Sequence, residues 1–106
     1  MRDIVVTEAN PEALPQARKW GQSLMGERRV EAVESLRREK VQRESAFVVV
    51  LENKPYLIHL SDAEGDVLPA DMSMPVNIEH KRVNRLVMKP ETRVKAELLY
   101  DISASS

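Results

Sequence analysis

The sequence predicts an α+β domain with the order strand, helix, strand, strand, helix, strand, the split βαβ pattern of a ferredoxin-like antiparallel sheet. Three observations lead there. Residues 46–51 form an apolar, largely β-branched run that a short turn leads back into residues 56–61, the signature of a β-hairpin. Residues 14–40 are dominated by good helix formers. Residues 94–102 alternate apolar and polar side chains with the period of a strand.

Taken in order, Ile4, Val5 and Val6 are β-branched and give a short first strand, followed by a turn over residues 7–11. Pro15 is tolerated only in the first turn of a helix, where its missing N–H has no intrahelical partner, so the first helix is expected to begin near Leu14. Ala13, Ala17, Trp20 and Leu24 make one apolar stripe, and Ala32, Val33 and Leu36 make a second, rotated one. Gly21 and Gly26 lie near the change of phase and predict a kink or a break there. Acidic and basic residues interleave over residues 27–40, which reads as a solvated helix face. The second strand is expected over residues 41–51, with a turn at Glu52, Asn53 and Lys54. Pro55 then opens the returning strand, where a missing donor does least harm. Residues 62–74 read as a loop with room for one helical turn. Ser73 before Pro75 opens the second helix, whose stripe is Val76, Val83 and Val87, and Pro90 stops it. The last strand covers residues 94–102 and residues 103–106 form a frayed tail. The chain, 1–106, is read as one domain.

Lys and Arg number 16 against 17 Asp and Glu, for a net charge of −1, and aromatic residues make up 4%. Neither a phosphate backbone nor an anionic bilayer finds a matching field, and bases find few stacking platforms. Nucleic acid and membrane are therefore not expected as partners. The absence of cysteine excludes disulfides, thiolate metal sites and a cysteine nucleophile, and fits a reducing compartment. Asp3 and Glu8 interrupt any signal-peptide pattern, and the longest apolar run, residues 46–51, is too short to span a bilayer. The expected location is a cytoplasm of bacterial type.

Strand alternation sorts the hairpin into two sets. With an even turn, Phe47, Val49, Leu51, Tyr56, Ile58 and Leu60 share one face. Glu44, Ala46, Val48, Val50, Leu57, His59 and Ser61 share the other. The bulkier first set is expected beneath the helices. The second set still carries Ala46, Val48, Val50 and Leu57, so that face is expected to be covered by a second copy of the chain in a homodimer.

The stretch from Glu31 to Leu60 (EAVESLRREKVQRESAFVVVLENKPYLIHL) resembles a family of uncharacterised bacterial proteins grouped with the dimeric α/β-barrel superfamily. The likeness rests on Leu36, Arg37, Arg38 and Glu39, on Glu44, Ser45, Ala46 and Phe47, and on Tyr56, Leu57 and Ile58. Ile78, Glu79, His80 and residues 97–102 agree more loosely. The resemblance implies a ferredoxin-like subunit whose sheet faces that of a partner. The superfamily includes cofactor-independent monooxygenases, isomerases and haem-degrading enzymes, so the fold alone selects no reaction.

His59 is the leading candidate for chemistry, since an imidazole among Val48 and Leu57 titrates near neutrality or holds a ligand. Glu44 and Tyr56 are candidates to act with it, and Val48, Val50, Leu57 and His59 are candidates to line a site for a small apolar ligand. Packing is the simpler reading for Trp20, Tyr100 and His80. Asp62, Glu64 and Asp66 mimic the opening of a calcium loop, but Val67 replaces the required glycine and Ser73 the closing glutamate. His59 and His80 lack zinc-ligand spacing, and the three glycines form no phosphate loop. No metal and no cofactor is expected. The preferred expectation is a protein of unknown function, a non-catalytic or regulatory homodimer. The alternative is a cofactor-independent monooxygenase- or isomerase-like enzyme, or a binder, with its pocket near His59.

Overall fold

The structure, a computed structural model, describes residues 2–105. It is a mixed α+β arrangement in which three helices pack on an antiparallel sheet. Among the described residues the strands are β1 (Arg2–Glu8), β2 (Arg43–Leu51), β3 (Lys54–Asp62) and β4 (Val94–Lys95), and the helices are α1 (Leu14–Met25), α2 (Arg29–Glu39) and α3 (Pro75–Val87). The strands lie in the order β2-β3-β1-β4, each antiparallel to its neighbours.

The hairpin closes through a two-residue turn, Glu52 and Asn53, both left-handed with φ of 51° and 66°. Its even length gives the cross-strand pairs Val48–Leu57, Ala46–His59 and Phe47–Ile58, so the two side-chain sets are grouped as the sequence predicts. Their placement is the reverse of the expectation. Leu57 is buried in the core with Ala9, Ala13, Leu14, Trp20, Val76, Val83 and Val87, and the β1 residues Val5 and Thr7, cross-strand from His59 and Leu57, are buried too. The helices therefore cover the Leu57 and His59 face, while Phe47, 53% exposed, and Leu51, 57% exposed, lie on the open one. Bulk misled the assignment: small side chains such as Ala9, Ala13 and Thr7 are what allow helices to approach a sheet closely. Val48 and Val50 sit on the helix side but on the edge strand, beyond the helices' reach, and remain exposed.

The long first helix breaks at Gly26. A Cβ there would meet the backbone oxygen of Gln22 at 3.1 Å, and the chain reorganises through Arg28 N donating to Ser23 O (2.8 Å) before α2 begins. Gly21 is accommodated inside α1. The loop over residues 63–74 holds no helix, and is fixed to the end of α2 by Leu68 N donating to Glu39 O and by the Arg38–Asp71 ion pair.

The predicted last strand is corrected most. Only Val94 and Lys95 pair, opposite Val6 and Val5, and Ala96 N donates one further bond to Ile4 O. Antiparallel pairing would carry residues 97 and 98 opposite Asp3 and Arg2 of β1, but the ladder ends before it reaches them. Leu98, Leu99, Tyr100 and Ile102 are exposed in consequence. Ser106 of the expected tail lies outside the described residues.

Candidate functional site

Register and helix phase bring three titratable side chains together between sheet and helices. On the sheet, Ala46 pairs with His59, so Glu44, two residues before Ala46, is the diagonal same-face neighbour of His59. On α3, the buried positions Val76, Val83 and Val87 define the sheet-facing stripe, and His80 falls within it, one turn beyond Val76. His80 Nε2 consequently lies 3.6 Å from Glu44 Oε1.

His80 is held from its other side by α1. Trp20 Nε1–H donates to His80 Nδ1 at 2.9 Å, with the two rings tilted at 41°. An indole nitrogen only donates, so Nδ1 must accept, and the neutral ring carries its proton on Nε2, facing Glu44. Protonating Nδ1 would set two N–H groups against each other. Arg28 stacks over Trp20 at 5.5 Å and is itself anchored by Glu31 at 3.0 Å, so the indole is fixed by packing on both sides.

The electrostatics follow from this placement. Burial holds the His59 imidazolium below the usual histidine range; the Glu44 charge opposes that, while His80 and Arg93 add to it. His80 is lowered likewise by burial, with Glu39 opposing. Burial raises Glu44, the neighbouring Glu39 raises it further, and His59 pulls it back. The Glu44 side chain is 36% exposed, so protein atoms crowd its carboxylate while one side still reaches solvent. A carboxylic acid shifted up beside imidazoles shifted down brings their proton affinities closer together, which favours passing a proton between them.

Glu44 and His80, with Asn84, line a cleft of about 840 Å³ between α2, α3 and the start of β2. A smaller recess of about 230 Å³ on the sheet side shares those three residues and adds His59, Ser61 and Arg93. Cavities on this scale hold small molecules. Among the described residues, no three histidine, aspartate or glutamate side chains gather so as to hold a metal ion, and no helix is long and apolar enough to cross a membrane.

A family model described as a family of unknown function, DUF6176, matches residues 5–105. The chain belongs to the DUF6176 family. Glu44, His59, His80 and Trp20 all lie within the span matched to DUF6176. No curated protein and no solved structure matches the chain.

Of the residues singled out from the sequence, Glu44 and His59 come together. Tyr56, paired with Val49 and Glu8, lies on the opposite face of the sheet and does not join them. Leu57 faces the helices in the core, whereas Val48 and Val50 stand outside the cleft. His80 and Trp20 were read as packing; the structure makes them the second imidazole and its positioning donor. A polar residue on the sheet-facing stripe of α3 was the available signal, because that stripe must land on the sheet.

Proposed function

We propose that this domain binds a small molecule between its sheet and helices, where the cleft and the smaller recess share Glu44 and His80, and that Glu44 and His59 exchange protons with it. The observation that carries this is the grouping of a raised carboxylic acid, Glu44, and two lowered imidazoles, His59 and His80, around the smaller recess, with the orientation of His80 set by Trp20. In this reading His59 takes a proton from the ligand and Glu44 returns one, while His80, its Nε2–H directed at Glu44, steadies the carboxylate as it ionises. The fitting reaction class is a cofactor-independent proton transfer, isomerase-like rather than oxygenase-like, because the paired groups differ in proton affinity.

The test is a fragment screen read at the site. Small apolar carbonyl compounds should shift the imidazole resonances of His59 and His80 and the Trp20 indole N–H, and raise the melting temperature of wild type but not of Glu44→Gln or His59→Ala. Binders that leave all three resonances unmoved would dispose of the proposal.

We further infer a ferredoxin-like subunit that pairs with a second copy through the open sheet face. The strand order β2-β3-β1-β4 and the antiparallel pairing support the first part. Ile4, Val6, Phe47, Val49, Ile58 and Leu60 share the face that no helix covers, which supports the second.

A further inference from the structure

We propose that the cleft selects an amphipathic monoanion, a ligand with an apolar body and a single carboxylate. This rests on the reading of the cleft as a ligand site and adds the chemistry of what enters it. The walls are largely apolar, with Leu24, Ala32 and Leu36 from α1 and α2 facing Val76 and Met88. Four cationic side chains line the same cleft: Arg29 at the start of α2, Arg43 at the start of β2, and Lys81 and Arg85 one turn apart on α3.

What distinguishes these four is that their charge is uncompensated. Arg28, Arg38 and Arg82, on the same helices, are each held by a carboxylate, Glu31, Asp71 and Glu79 respectively. Among the described residues, Arg29, Arg43, Lys81 and Arg85 have no hydrogen-bonded or ion-paired side-chain partner. Four cations outnumber the two acidic residues of the lining, Glu39 and Glu44, in a chain whose net charge is −1. The local field therefore opposes the global one. The surplus of cations over Glu39 and Glu44 is small, which suits a ligand with a single anionic group. Arg85 and Lys81 lie on the helix that carries His80 and Asn84, so a head group seated there stays close to His80.

The chain's single tryptophan, Trp20, bonded to His80, supplies an intrinsic reporter. Its emission should be titrated with octanoate, 1-octanol and octylamine. Octanoate is expected to saturate about tenfold more tightly than octanol, as one charge-assisted hydrogen bond provides, and to weaken with added salt, while octylamine does not bind. The double variant Lys81→Gln/Arg85→Gln, changed at exposed positions, should erase the preference for octanoate, bringing its affinity down to that of octanol. Octanol binding as tightly as octanoate would overturn the anion selectivity while leaving the cleft as a ligand site. Retention of the full preference in the double variant overturns the placement of the head group, and silence from all three probes overturns both the selectivity and the cleft reading beneath it.

Discussion

His59 and His80 are the chain's two histidines, and both are held below the ordinary histidine range, first of all by burial. The sign of the consequence follows from proton counting. Below about pH 6.5 the unfolded chain takes up protons on both rings while the native chain does not, so stability should fall as pH drops through that value. The slope is at most about 1.4 kcal/mol per pH unit for each histidine, and it ends once pH passes below the folded values. Glu44 acts in the opposite sense at lower pH. Its folded value is raised, so the native state protonates first and recovers stability as pH falls through that value toward the ordinary carboxylate range. Urea denaturation between about pH 7.5 and 5.5 should show declining stability in wild type and a flatter profile in His59→Gln/His80→Gln. A wild-type profile already flat over that interval would mean the two rings are solvated rather than enclosed.

At the scale of elements, the backbone is most constrained where side chains had least say. Lys40 caps α2 in the left-handed conformation, with φ 62°, and its N–H donates to the Arg37 carbonyl. A side chain costs about 1 kcal/mol in that region, and glycine avoids it. Lys40→Gly should accordingly raise the unfolding free energy by about 1 kcal/mol by chemical denaturation, and a loss of stability would show that the lysine side chain itself holds the helix end. What the sequence made legible follows the same division. The hairpin and the break near Gly26 are dictated within a few residues and were readable, whereas the even, two-residue turn that fixes the pairing was not, because Lys54 belongs to the returning strand. Nor was the last strand, because alternation over residues 94–102 is a local property whereas pairing with β1 is not. The choice of covered face was hidden for a related reason: parity sorts side chains into two sets, but only the helices' approach decides which set they meet. Glu44 and His59 could be paired from strand parity alone; His80 and Trp20 reach the site from two other elements, and no spacing in the sequence relates position 20 to 80 or 80 to 44.

For the molecule as a whole, the helices shelter one face of the sheet and leave Ile4, Val6, Phe47, Val49, Ile58 and Leu60 on the other. Burying side chains of this size against a partner contributes roughly 1.5–3 kcal/mol each before the cost of association, enough that a second copy is the economical cover. A two-fold pairing needs only one self-complementary patch. The two faces of β2 separate this from a general tendency to stick. Phe47 and Val50 are both exposed on the edge strand, yet they point to opposite sides. Sedimentation equilibrium at micromolar concentration should find wild type and Val50→Glu dimeric and Phe47→Glu monomeric, since the glutamate of the last would be buried unpaired at the interface. If Val50→Glu dissociates and Phe47→Glu does not, the copies meet through the helix side of the edge strand. If wild type sediments as a monomer, the open face is left without the partner its composition demands.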